Sequence, residues 1–192
     1  MILLTSKVQD AIAKACTLHD GQYRKLSNKC PYVTHVFAVA WLVAPYTQDE
    51  DVLCAALLHD VLEDVASEVY NENQMISEFG RRVYLIVKGV TEDIHITPWV
   101  NRKAKYLHHL KKANHDILLV SIADKIHNLT DLINLYRKRG EILWSSFESN
   151  SETILWYHQS VLAIAEQRFA SGITDHYRNV VEEAQRIFHR KG

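Results

Sequence analysis

The chain has 192 residues, with 22 Lys and Arg against 23 Asp and Glu, 11 histidines and a formal net charge of −1. A charge this close to zero supplies no basic field and excludes a protein held to nucleic acid by bulk electrostatics. Six glycines and three prolines are too few turn formers for a β-sandwich, a collagen-like chain or a flexible linker, and they point to helices.

A hydrophobic fraction of 47% beside 23% charged residues is that of one soluble domain over residues 1–192, burying roughly 70% of its unfolded surface. Cys16, Cys30 and Cys54 are odd in number and lack CxxC spacing, so neither a disulfide framework nor a structural zinc site is expected. The start Met1–Lys7 has neither a basic n-region nor an adequate apolar run, and the densest apolar stretch, Ile117–Ala123, is far shorter than a bilayer span. The expectation is a cytoplasmic protein with no membrane partner.

In chain order, Ser6-x-x-Gln9 reads as a capping box opening a helix with Val8, Ala11, Ile12 and Ala15 on one face. A polar loop follows Gly21 and runs from Tyr23 to Pro31. The spacing of Val36, Val39, Ala40 and Val43 predicts a helix over about Thr34 to Tyr46. Thr47-x-x-Glu50 is a second capping-box signature, opening a helix that carries Val52, Leu53, Ala56 and Leu57 and then His59-Asp60. Met75–Phe79 and Arg81–Lys88 read as helices on either side of Gly80, with Gly89 as C-cap. Thr91–Pro98 is aperiodic and reads as a loop, and Asn101–Ala113 as a helix with Arg and Lys on its outer faces. Ile117–Tyr136 is apolar on all sides and must be buried. Helices over about Glu152–Phe169 and Thr174–His189 complete an all-α chain of seven to nine helices.

Chemistry concentrates in His35, the pair His59-Asp60, and Asp124, all in or at the ends of apolar helices. Isolated charges there are costly unless they pair, ligate a metal or neutralise. Two imidazoles and two carboxylates together suit a divalent first-row ion such as Mn²⁺ or Fe²⁺. Taken singly, each also suits a satisfied core histidine or a helix cap. Glu63 lies four residues after His59 and Asp64 four after Asp60, which on one continuous helix puts each acid a turn beyond a candidate ligand. From there they would order a water or move a proton. Asn128 stands in the same relation to Asp124, where its amide needs a base edge, a neighbour of the metal or a backbone carbonyl. Trp144, Phe147, Trp156 and Tyr157 recur at helical intervals and read as core, with stacking on a base the alternative for the last two.

Four stretches of this text carry a family resemblance: His19-Asp20-Gly21-Gln22-Tyr23-Arg24-Lys25 with Pro31-Tyr32-Val33-Thr34-His35; Ala55 to Asp64; Phe79-Gly80 with Val90-Thr91; and Ala123-Asp124-Lys125-Ile126-His127-Asn128-Leu129. The order H…HD…D resembles that of the HD-domain metal-dependent phosphohydrolases, a helical-bundle family. The flanking residues resemble the hydrolase domain of the Rel/Spo alarmone enzymes and the small stand-alone alarmone hydrolases. The resemblance implies that His35, His59, Asp60 and Asp124 hold one metal, usually Mn²⁺, with Fe²⁺ and Co²⁺ as alternatives. It implies that Glu63 and Asp64 activate or position the attacking water, that Arg24 and Lys25 border the nucleotide, and that Asn128 lies near its base or ribose. The reaction implied is removal of the 3′-pyrophosphate of ppGpp or pppGpp, giving GDP or GTP and pyrophosphate.

Arg102, Lys103 and Lys105, after Pro98-Trp99, are candidate supports for the pyrophosphate or else a solvated basic face. The sequence departs from the family's pattern at Val36, where Pro is usual, at Leu26-Ser27-Asn28-Lys29-Cys30, which lacks the usual Gly, and at Val65, where Thr is customary. Two alternatives stay open: an HD phosphohydrolase for another nucleotide or a phosphorylated metabolite such as NADPH, and a nucleotide-binding regulatory module. A small-molecule nucleotide is the expected partner, with no nucleic acid and an open oligomeric state.

Overall fold

A computed structural model describes residues 4–25 and 29–188. The sequence departure at Leu26, Ser27 and Asn28 and the expected helix end at His189 fall outside the described residues. The fold is all-α, with nine helices of eight residues or more among the described residues. Backbone pairing of strand type is confined there to an isolated bridge between Tyr23 and Pro31. The chain divides into two compact units, Met1–Glu92 and Asp93–Gly192.

The first unit contains α1 (Ser6–Leu18), α2 (Val33–Val43) running into a 3-10 turn (Ala44–Tyr46), α3 (Glu50–Leu58), the single turn α4 (Val61–Asp64), α5 (Glu72–Phe79) and α6 (Arg81–Val90). Helix α3 is its centre: every residue from Val52 to Leu58 is buried, and α1, α2 and α6 pack on it. The first two expected caps are each displaced. Thr5, not Ser6, accepts the Val8 N–H, and Asp49, not Thr47, accepts from Asp51, because each chain is still extended at the residue whose side chain caps it. Asn71 and Gln74 form a reciprocal capping box at the start of α5. Gly80, with φ +89°, separates α5 from α6, whereas Gly89 lies inside α6 and Thr91 is the C-cap.

The second unit contains α7 (Trp99–Leu110), α8 (His115–Arg139), a 3-10 segment (Gly140–Ser146), α9 (Ser151–Arg168) and α10 (Gly172–Phe188). Helix α8 is buried without interruption from Leu118 to Ile126, but the expected all-round burial does not extend to Tyr136: beyond Ile126 only Leu129, Leu132 and Ile133 are buried, on one face, while Thr130 and Asn134 are exposed; α10 and α9 pack on it. It ends at Gly140, whose φ of +62° is left-handed. Trp144 sits among the rings of Tyr136, Phe147 and Phe188, a core role. No helix among the described residues is long and apolar enough to cross a membrane.

Candidate metal centre and its surroundings

The site in the first unit begins with the way α3 stops. Neither Gly nor Pro follows Leu58, and the backbone stays right-handed through His59 (φ −61°, ψ −32°). In a continuous helix the Ala56 carbonyl would accept the Asp60 N–H. Here the His59 ring takes that carbonyl instead, with Nδ1 donating at 2.9 Å. A side chain has outcompeted the backbone for an acceptor, and a new turn starts at Asp60, whose carbonyl accepts from Glu63 (3.1 Å) and Asp64 (2.8 Å). The expectation of one helix carrying His59, Asp60, Glu63 and Asp64 on shared faces is therefore corrected: the acids occupy the separate turn α4.

The same hydrogen bond fixes the His59 tautomer. With Nδ1 protonated, Nε2 carries a bare lone pair, the arrangement used by metal-binding imidazoles. His35, on α2, places its own Nε2 3.2 Å away, and Asp60 Oδ2 lies 3.3 Å from His35 Nε2 and 3.2 Å from His59 Nε2. Donor atoms sharing one ion at bond lengths of about 2.0–2.2 Å lie about 2.8–3.6 Å apart, so this triangle fits a divalent cation. Both rings are buried, at 1% and 2% exposure, where two imidazole nitrogens and a carboxylate face one another. Burial works to raise the Asp60 pKa, but whenever the imidazoles are protonated at Nε2, the His59 charge and the hydrogen bonds from His35 and His59 outweigh it and hold it well below the usual carboxylate range. The cluster is built to keep its carboxylate ionised.

Around the triangle, Tyr32 donates to Asp60 Oδ2 at 2.6 Å. Burial and the negative charges of Asp60 and Asp64 push the Tyr32 hydroxyl's pKa far up, so it remains a donor. Asp64 is at the rim, with desolvation and the Asp60 charge raising its pKa despite help from Tyr32 and His19. The two carboxyls are thus driven in opposite directions, a pattern of acid–base sites. Glu63 Oε2 accepts the Glu92 N–H at 2.9 Å, which anchors that acid to the chain leaving α6. Arg24 is held by its N–H on Cys30 O (2.9 Å) beside the Tyr23–Pro31 bridge, and its guanidinium lies over the Tyr32 ring at 5.5 Å. Lys25 is exposed.

In the second unit, Asp124 is a buried carboxylate of metal-ligand type, as His35 and His59 are buried imidazoles. Its Oδ2 accepts from Lys125 Nζ at 2.6 Å and its Oδ1 from Asn128 Nδ2 at 2.5 Å. The i,i+4 relation expected of Asn128 is therefore used on the carboxylate. Lys125 is 7% exposed, over the Tyr106 ring at 5.0 Å. Lys103 lies over Trp99 (5.3 Å) and Tyr157 (4.8 Å), and Arg102 donates to Ile96 O at 3.4 Å. Tyr157 is buried and Trp156 is exposed.

Sequence reasoning assigned no role to Tyr32, Lys125, His19 or Gln22. For Tyr32 the signal was its place three residues before His35; for Lys125, a lysine inside an otherwise apolar helix beside Asp124.

A family described as HD domain matches residues 11–146. The chain belongs to the HD-domain family. Within that family it is similar to the zebrafish (Danio rerio) guanosine-3′,5′-bis(diphosphate) 3′-pyrophosphohydrolase MESH1, at 33% identity over 67% of this chain and 70% of the relative. It is 29% identical to the bifunctional (p)ppGpp synthase/hydrolase SpoT of Escherichia coli over 92% of this chain. The chain spans only 26% of SpoT and 20% of the similar pyrophosphohydrolase of Borreliella burgdorferi. A solved structure described as a metazoan ortholog of SpoT that hydrolyzes ppGpp superposes with a TM-score of 0.70 at 25% identity, covering 100% of this HD-domain chain and 99% of the other.

Proposed function

We propose that this HD-domain protein is a cytoplasmic, metal-dependent hydrolase that removes the 3′-pyrophosphate of ppGpp or pppGpp, with residues 1–192 acting as one catalytic domain. The observation that carries the reading is the convergence of His35 Nε2, His59 Nε2 and Asp60 Oδ2 within 3.3 Å of one another. The names of the MESH1 and SpoT relatives supply the substrate class.

In this reading His35, His59, Asp60 and Asp124 hold the ion, which we assign as Mn²⁺. The donor chemistry supports the assignment, since mixed imidazole and carboxylate sites suit such first-row ions. The ion supplies Lewis acidity and a water that ionises near neutral pH. His59, with Nδ1 committed to Ala56 O, offers its lone pair without a tautomeric choice. Tyr32 steadies Asp60. Asn128 and Lys125 orient the Asp124 carboxylate, whose two oxygens they engage.

Glu63 and Asp64 position the attacking water and take its proton. Arg24, a planar cation kept in place by the paired loop, borders the guanine, and Lys25 stands beside it as a phosphate contact. Arg102 and Lys103 offset the charge of the departing pyrophosphate. Asn128, already bound to Asp124, acts on the nucleotide through that carboxylate or with its remaining amide positions.

The test is incubation of purified protein with ppGpp and Mn²⁺, with chromatographic detection of GDP and pyrophosphate. Turnover by wild type and its loss in His59→Ala is the expected result. Absence of turnover in wild type, with Mn²⁺ bound, overturns the substrate assignment.

A further inference from the structure

His19, the C-cap of α1, is 2% exposed, and its Nε2 is buried without a hydrogen-bond partner. The remaining hydrogen bonds fix the role of its other nitrogen. Gln22 Nε2 donates to the Asp64 carbonyl at 3.3 Å, so the Gln22 amide oxygen faces His19, and at 2.7 Å His19 Nδ1 must donate to it. Nε2 is then a buried polar atom with no partner, a costly group to bury. A phenylalanine would pack in the same place without that cost. The histidine makes physical sense only if its Nδ1–H and its ring each serve a purpose.

The ring stacks on Tyr32, with centroids 5.0 Å apart and planes inclined by 30°, and Tyr32 in turn donates to Asp60 at 2.6 Å. The Nδ1–H works through Gln22 on the backbone of Asp64. We infer that His19 is a positioning residue with two separable arms: its ring sets Tyr32, and through it the metal-binding carboxylate Asp60, while its Nδ1–H sets Gln22, and through it the placement of Asp64. Each arm acts through one intermediate side chain.

The inference rests on the proposed function both for the role of Asp64 and for Asp60 as a metal ligand. Two substitutions divide the arms. His19→Phe keeps the ring and removes the Nδ1 donor; His19→Asn keeps an amide donor near the Nδ1 position and removes the ring. The Mn²⁺ dissociation constant, measured by competition with a fluorescent chelator, should be within about twofold of wild type in His19→Phe and about tenfold weaker in His19→Asn, the low end of what outer-shell losses cause. At saturating Mn²⁺, kcat for ppGpp should fall about tenfold in His19→Phe with KM unchanged, and fall less in His19→Asn.

Gln22→Leu should reproduce the His19→Phe pattern and Tyr32→Phe the His19→Asn loss of metal affinity, so the inference stays testable if either His19 variant fails to fold. Variants that rank the same way in both readouts, or that match wild type in both, overturn it. If wild type leaves ppGpp intact, the substrate reading fails by itself, and the Mn²⁺ constants alone decide between a metal-positioning ring and mere packing.

Discussion

His158 provides a pH dependence of stability that can be worked through from the structure. Its ring is buried at 6% exposure in α9 and shares a 2.8 Å hydrogen bond between Nδ1 and the Tyr177 hydroxyl. Burial, followed by the positive charges of Lys125 and Lys103, lowers its pKa from 6.5 to about 3, with Asp124 opposing. The folded state therefore leaves this ring unprotonated at a pH where the unfolded chain protonates it. Below pH 6.5 the unfolded state binds the extra proton, so stability is fully present above that value and is lost as pH falls toward 3.

At 1.36 kcal/mol per pH unit, the loss between pH 7 and pH 4 is about 3 kcal/mol from this residue alone. Other acid-sensitive groups contribute to the wild-type slope, so the assay is a difference. Urea unfolding of wild type and His158→Asn at pH 7, 6, 5 and 4 holds every other group common to both. The asparagine keeps a hydrogen-bonding partner for Tyr177 but does not titrate. Its fixed packing cost is the same at each pH and cancels from the comparison. Wild type should lose about 3 kcal/mol more than the variant across that range, nearly all of it below pH 6.5. Parallel curves would refute a neutral, desolvated His158.

Stripping the divalent ion with a chelator and restoring Mn²⁺ to 100 times its dissociation constant should stabilise the fold by about 2.7 kcal/mol. That corresponds to a rise of roughly 5–11 °C in Tm, read by calorimetry and absent in His59→Ala. Tyr32→Phe deletes the hydroxyl that donates to Asp60 Oδ2 at 2.6 Å and should weaken Mn²⁺ binding by about 10- to 100-fold, measured by isothermal titration; unchanged affinity in the folded variant would contradict its role. Asn71→Ala removes the capping box of α5 and should cost about 1 kcal/mol in urea unfolding while leaving Mn²⁺ affinity unchanged.

Some of this was legible in the sequence and some was not, and the division follows interaction range. Helix α8 was readable because a stretch apolar on every face has only one environment open to it, and its burial from Leu118 to Ile126 follows. Caps were readable only to within a residue or two, since Thr5 and Ser6, or Thr47 and Asp49, offer similar oxygens and the backbone angles decide between them. Gly89 resembled a terminator but sits inside α6, while Gly80 carries the positive φ; glycine permits a left-handed turn without demanding one. His35, His59 and Asp60 were identified from their order and residue types. The residues that hold them in place were not, because Tyr32 and His19 are individually ordinary. Only the folded chain shows the Tyr32 hydroxyl on Asp60, 28 residues away.

The His59–Ala56 hydrogen bond explains why the candidate ligands were easier to find than the local backbone. Reading His59 through Asp64 as one helix assumed that each backbone carbonyl would keep its helical partner. The Ala56 carbonyl instead accepts from His59 Nδ1, and the helical ladder does not continue to the Asp60 N–H. That contact stands where α3 ends and a new turn begins at Asp60, and with Nδ1 donating to Ala56 O, Nε2 is the ring atom that faces His35 Nε2. A continuous helix would leave the His59 ring without this brace and its tautomer unset. The end of α3 and the setting of the His59 ring thus meet at one position, and a substitution such as His59→Gln, which removes the ring, should perturb both together.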